Sequence, residues 1–559
     1  MSVNNKNNRR NGIALSRLAA GVMAATLASA SWQAMAFSID TGNPDIRMRW
    51  DNTVKYNIGW RMEGRDDRLG DNWQSQATNH GWDRGDVVTN RVDLLSEFDM
   101  VYKMDHGFRV SAAAWNDFAY DDKVEGNPAY QAPGGPGTAY PNNRFTGKVE
   151  RWYKRSGEIL DAFVFTRLDV GNVPVNIRAG RHNIYWGESL FTFGNGIAYG
   201  QGPLDIRKAT STPGVEAKEL FLPQNQISAS AQLTDNISVA ANYYLEWDPH
   251  RMPEGGTYLG GADLSFLGGT NFLGLPVVGD RDHGFGKKPD DRGSWGVNTQ
   301  IRSELLDGTI GLYYREFDDR NPMMTLAPDQ SYMYNAYAED VKLYGISYSR
   351  LVGAISLGAE ISRREDTALA SNGAGLAIGD TWHGLVNIVA FIGQTRLFDS
   401  ASLNAELTYN KLDSVKSSTR QFFNHKSSSY GNCQGGLKAG CATDEAVGFQ
   451  VAFEPVWYQV FPGIDMNAPI SYGRGISGNS PTPLGTAKNG GAWSVGVGMD
   501  IHAKYEIDLA YNDYFGEYTK GTNPLAGTPG VEDVVWQGTS GSGILHDRGW
   551  LSLTFKTAF

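Results

Sequence analysis

The chain has 559 residues and a formal net charge of −11, which becomes −15 for the mature chain once the four N-terminal cations Lys6, Arg9, Arg10 and Arg17 are removed. So acidic a chain lacks the basic footprint that nucleic-acid phosphates demand. Past the N-terminus no run approaches 18 consecutive apolar residues, which excludes a helical membrane protein, but a transmembrane barrel alternates apolar and polar residues and has a soluble-looking composition.

The N-terminal cations precede the apolar run Leu18 to Ala30 and the small-residue triplet Ala34-Met35-Ala36. This order predicts a cleavable secretory signal over residues 1–36, with export through the periplasm. The mature chain, 37–559, is expected to be one domain.

The first mature segment alternates, interrupted only by Asn52. Ile46, Met48, Trp50, Val54, Tyr56, Ile58, Trp60 and Met62 are apolar, and Arg47, Arg49, Asp51, Thr53, Lys55, Asn57 and Arg61 lie between them. Period two over this length predicts a strand with one apolar and one polar face. The same alternation runs from Val88 to Met104, turns at Asp105-His106-Gly107, and returns through Phe108 to Tyr120. Further short turns are predicted at Thr234-Asp235-Asn236, Asp307-Gly308, Gly353 and Ala503-Lys504. Long polar stretches near 63–86, 121–146, 248–293, 318–340, 364–381, 411–445, 475–492 and 516–546 separate the hairpins. Short turns on one side and long loops on the other are the asymmetry of outer-membrane barrels. With 67 glycines, 26 tyrosines and 15 tryptophans for turns and interfacial girdles, the fold expected is all-β: a transmembrane antiparallel β-barrel of about 18 strands, within a range of about 16–20.

Counting crossings from a periplasmic start, the strand near 173–181 should finish in the periplasm; counting back from the C-terminus, the strand near 227–234 should start outside. The segment 182–226 between them lacks clean alternation, turning and then becoming briefly helical from Pro213 to Leu222. Irregular backbone at membrane depth needs protein or lumenal water around it, so this segment is expected to cross the lumen as a plug or constriction, the alternative being one more strand around Ser189 to Ala198. Its charges Arg181, Glu188, Asp205, Arg207, Lys208, Glu216, Lys218 and Glu219, with Trp186, are candidates for a gate or ligand path, or for structural bracing of the insert.

The loop from Tyr258 through Leu264, Phe266, Leu267, Phe272 and Leu273 is unusually apolar for a solvent-facing stretch. Such patches mark binding sites or contacts, so a hydrophobic ligand could be captured there, or the loop could fold over the rim. Cys433 and Cys441, the only two cysteines, lie in a predicted external loop and suit a small disulfide; two thiolates are half a metal site at best. The last strand, Trp550 to Phe559, puts Leu551, Leu553, Phe555 and Phe559 on one face and ends on an aromatic.

Gly180-Arg181, Trp186-Gly187-Glu188-Ser189, Pro203-Leu204-Asp205, Pro213-Gly214 with Glu216, Lys218, Glu219, Leu222 and Pro223, and Tyr244-Leu245-Glu246-Trp247 resemble the family catalogued as domain of unknown function 1302, as do Phe453-Glu454-Pro455, Tyr458-Gln459-Val460, Pro462-Gly463 and Asp465. The resemblance implies an outer-membrane barrel surrounded by outer-membrane lipids. It also implies a periplasmic lipoprotein-like partner of the family called domain of unknown function 1329, an inner-membrane transporter of the resistance-nodulation-division class, and traffic in hydrophobic small molecules such as sterols, terpenoids or other lipids.

No His-Glu-x-x-His, phosphate-loop or Gly-x-Ser-x-Gly pattern occurs; neither enzyme activity nor a cofactor or metal is expected. The leading expectation is passage of hydrophobic or amphipathic molecules across the outer membrane. A general or sugar-type diffusion porin is the alternative, and a structural or adhesion barrel the second.

Overall fold

The computed structural model describes residues 37–70, 80–121, 123–131, 133, 139–140, 142–213, 215, 217–261, 269–272, 275–279, 288–371, 375–417, 421–424, 433, 436–522, 527, 533–538 and 543–559. The predicted signal, 1–36, lies outside them, as do Glu216, Leu264, Phe266, Leu267 and Leu273.

Eighteen antiparallel strands close into a barrel. In chain order they are β1 (Ile46–Arg61), β2 (Val87–Tyr102), β3 (His106–Asp117), β4 (Arg155–Val170), β5 (Val173–His182), β6 (Gln224–Thr234), β7 (Ile237–Tyr244), β8 (Trp295–Ser303) and β9 (Gly308–Phe317). They continue with β10 (Val341–Val352), β11 (Ile355–Ala368), β12 (Ile378–Ile392), β13 (Ser400–Val415), β14 (Glu445–Phe461), β15 (Ile464–Asn467 and Ile470–Ser477), β16 (Gly491–Ile501), β17 (Tyr505–Phe515) and β18 (Trp550–Ala558). Pro469, which has no N–H to donate, lies at the break within β15, and both halves keep one register against β16. β18 pairs with β1 from Thr53↔Ala558 to Arg61↔Trp550, leaving no open edge. The short segment Phe37–Ile39 pairs with Met48 to Trp50 and continues that seam past the C-terminus.

Burial inverts the usual reading of the alternation. On β11, outward Ile361 is 52% exposed while the neighbouring inward Glu360 is only 7% exposed. On β1 the inward Lys55, Asn57 and Arg61 are buried, while outward Trp50 and Tyr56 are among the exposed aromatics. An exposed apolar face on a closed barrel is the surface that lipid covers. In the loop-end half the polar face is packed against protein, whereas at the turn end inward pairs such as Arg109 with Asp99 remain partly exposed.

All short turns lie at one end of the barrel with both chain termini, and all long excursions lie at the other; by the usual asymmetry the loop end is external. The strand Val173–His182 is the fifth crossing, not an even one, so it finishes at the loop end, where His182 pairs directly with Gln224 of β6. Residues 183–223 therefore leave and re-enter the wall at the same end and have no need to cross the membrane. They contain no strand of the barrel, only the short helices Ile206–Ser211 and Ala217–Leu220 among the described residues.

Packing is concentrated within the loop-end half. Ile197 and Tyr199 from the 183–223 segment join Tyr313, Phe317, Ala338, Val341, Leu343 and Ala368, with Trp186 and Leu484 against them. A second cluster, Tyr120, Val124, Tyr140, Phe145, Val149 and Tyr153, sits in the 118–154 excursion.

Candidate functional site

The segment begins with a turn that only glycine permits. Gly187 has φ of +107°, and a side chain there would collide with the Glu360 carboxylate. This close approach lets inward-facing Glu360 accept from the backbone N–H groups of Glu188 and of Ile197, the latter at 2.7 Å. Glu406, inward on β13, accepts from Leu190 N at 2.6 Å and Thr192 N at 2.8 Å. The carbonyls are met by arginines: Arg364 donates to Gly194 O at 2.8 Å and Gly196 O at 3.0 Å, and Arg315 to Ile197 O at 3.1 Å and Tyr199 O at 2.5 Å. Asn387 donates to Glu188 O at 2.5 Å. Non-repetitive backbone cannot satisfy its own polar groups, and a buried group left unpaired costs about 1–3 kcal/mol. Four charged wall residues on β9, β11 and β13 supply the missing partners. The Arg364 guanidinium also lies 4.2 Å from the Tyr199 ring centroid.

The later part of the segment is held by ion pairs. Asp205 caps the helix Ile206–Ser211, accepting from Lys208 N at 2.9 Å, and takes Arg207 in a two-point contact of 3.0 and 2.7 Å. Lys208 reaches Glu158 on β4 at 3.1 Å, and Arg251 from the next excursion bridges Glu158 at 2.6 Å and Asp205 at 3.3 Å. Burial alone would push the Asp205 carboxyl up, but Arg207, Lys208 and Arg251 overcome it and hold the group well below the usual carboxylate range. Arg207 is further packed among Trp115, Trp152 and Tyr153. Lys218 pairs with Glu97 of β2, and Glu219 lies 3.7 Å from Lys55 of β1.

The charges singled out in the sequence thus do not converge on one point. Arg181 pairs with Glu246 at 2.8 Å at the rim, Asp205 and Arg207 form one brace, and Lys218 and Glu219 form two more. Glu188 directs its carboxyl to the hydroxyls of Ser347 and Ser349, and burial raises its pKa against those bonds. Trp186 lies over Gly296 beside Arg315. Tyr258 offers no surface for capture: it is 3% exposed, packs on Val88, Leu259 and Trp550, and donates to Arg548 O at 3.0 Å. Phe272 belongs to the two-residue strand Asn271–Phe272, paired with Leu275 and Pro276. Cys433 and Cys441 are disulfide-bonded.

Glu360, Glu406, Arg315 and Arg364 are not distinguished in the sequence, because a charged inward residue of a strand reads like any residue facing a wet lumen. The available signal was their combined burden: two acids and two bases at inward positions of the alternate strands β9, β11 and β13, beside an irregular segment rich in backbone polar groups.

The family described as "Protein of unknown function (DUF1302)" matches residues 16–559. Among curated proteins none matches the sequence. Among solved structures, the barrel is similar to OccAB2 of Acinetobacter baumannii, at 9% identity over 92% of this chain and 98% of that chain, with a TM-score of 0.42. It is also similar to OccD3 (OpdP) of Pseudomonas aeruginosa, at 13% identity over 95% and 94%, TM-score 0.38. A third similarity is to the outer membrane channel DcaP of A. baumannii, at 10% identity over 93% and 99%, TM-score 0.35.

Proposed function

For a chain that belongs to the DUF1302 family of proteins of unknown function, we propose an outer-membrane channel for hydrophobic or amphipathic small molecules, whose lumen is narrowed by residues 183–223. The observation that carries this reading is the fixing of that segment to the inner wall by buried Glu360, Glu406, Arg315 and Arg364. A segment needed only to cap a loop would not require four charges to be buried; placing ions inside protein is costly unless each is paired and hydrogen-bonded. The surrounding aromatics Tyr185, Trp186, Phe193, Tyr199 and Phe221 favour an apolar solute over a free aqueous path. Passage then requires the segment to shift, which periplasmic partners of the lipoprotein-like and resistance-nodulation-division types would drive.

A sugar-type diffusion porin is the second reading. It is favoured by the turn-end half of the inner wall, where partly exposed pairs such as Arg109 with Asp99 at 2.6 Å and Lys556 with Glu506 at 3.4 Å offer a polar lining.

Single-channel recording in planar bilayers separates the two. The wild-type protein is expected to give small, infrequent openings, and Glu406→Ala combined with Arg364→Ala larger and longer ones, provided both proteins migrate as heat-modifiable barrels. Large, steady wild-type conductance would favour the diffusion porin, and an unchanged record in the assembled variant would remove the segment from the permeation path.

A further inference from the structure

The inner wall is covered unevenly. On β1, β2 and β3 the inward Asn57, Asp93 and Ala113 are buried, and on β9, β11 and β13 so are Tyr313, Glu360 and Thr408. Between these two covered arcs, β14–β17 differ. Their outward Val495, Val497 and Leu509 are exposed to lipid, yet inward residues of the same strands are open as well: Gln450, Ala452, Ser471, Ser494, Ala510 and Asn512 are partly exposed, and Ala492 is exposed. The contrast appears across single strands. Gln450 of β14 lies directly opposite the buried Glu406 of β13, and Asn512 of β17 is separated from the buried Arg61 of β1 only by β18.

An inward side chain stays exposed only where nothing packs on it. The 183–223 segment takes its anchors from the covered arcs, Glu360 and Glu406 on one and Lys55 and Glu97 on the other. A segment that gives way while held there opens the lumen along β14–β17. Charge follows the same division. Towards the turn end, the charged residues turned inward on β14–β17 are Glu454, Asp465, Asp500, Glu506 and Asp508, all of them acids. Asp465, Asp500 and Glu506 share one register row, which continues to Lys556 of β18, 3.4 Å from Glu506. The exposed inward cations Arg167 and Arg178 stand on β4 and β5, across the lumen. Low-dielectric walls focus such a field into the space between them, so this side attracts cations and repels anions.

We propose that solute passes along β14–β17, and that this side of the wall selects amphipathic solutes carrying a positive charge over anionic ones. The proposal rests on the channel reading above and adds to it the route and the sign of the charge.

The test uses the full mature protein, in detergent and in planar bilayers. Both native cysteines are in the disulfide, so an introduced cysteine reports on its own position. Relative to a free thiol, Ser494→Cys and Ala510→Cys should react about tenfold faster with a quaternary-ammonium methanethiosulfonate than with its sulfonate counterpart, and the reaction should lower conductance. Ala113→Cys, on a covered arc, should stay unmodified. In a potassium chloride gradient the reversal potential should lie on the potassium side. Asp508→Asn with Glu454→Gln should remove the reagent preference and move the reversal potential toward zero; Glu454→Gln alone gives the same reading should the double variant fail to assemble. A conducting protein that selects chloride, or whose conductance is untouched by modification at both positions, would overturn the route and leave the channel reading in place. Absence of any conductance, in the wild type and in Glu406→Ala with Arg364→Ala, would end the channel reading and the route with it.

Discussion

Asp318 begins the excursion after β9, and burial, with Glu339 and Asp340 adding, raises its carboxyl to about 6 against a bond from Asp340 N. A carboxyl raised in the folded state contributes stability while protonated, and that contribution is lost as pH rises from its unfolded value through about 6. Asp318→Asn keeps an acceptor for Asp340 N but cannot ionise. It is expected to stabilise the protein at pH 8 by of order 1 kcal/mol, discounted for partial exposure, and to flatten the unfolding midpoint between pH 4 and 6; a variant whose pH profile superimposes on the wild type would show that Asp318 does not set it. At this same scale, Gly187 explains why Trp-Gly-Glu-Ser is written as it is. The motif places a left-handed residue where a carboxylate from the wall must reach the backbone.

Among elements, the excursions were legible from composition. The stretch expected at 318–340 separates β9 from β10 at those same bounds, and 411–445 shortens only to 416–444, because the alternation of β13 continues through Val415. The Cys433–Cys441 bond spans a separation of eight residues within that excursion. Closing so short a loop stabilises it by about 2–3 kcal/mol on the chain-entropy account. Replacing both cysteines by serine should therefore leave barrel assembly intact while external protease cuts 416–444 faster on whole cells; equal cleavage rates would mean that packing alone orders the loop. What misled the sequence reading was the direction of travel at 173–182. Alternation identifies a strand but not its direction, so one miscounted crossing upstream reverses every strand after it.

For the whole molecule, the decisive surface is the outer wall. Val386 lies mid-strand on β12 between outward Ala359 and Leu407 and is 53% exposed. In lipid, Val386→Arg should cost about 2–4 kcal/mol of folding stability near the midplane, read from urea unfolding in bilayers, whereas Asn387→Ser one residue on faces inward and should not impair insertion. Equal tolerance of both would argue against a lipid-covered barrel. Alternation, turn chemistry and loop lengths determined the barrel, a strand count of about 18 within about 16–20 and the sorting of polar from apolar faces, because each rests on local backbone periodicity. Only the tertiary structure decided that the polar face is largely buried, that 183–223 returns to the end from which it leaves, and that Glu360, Glu406, Arg315 and Arg364 hold it. Those outcomes depend on which inward residues of distant strands meet one irregular segment, and no local pattern in the chain encodes that meeting.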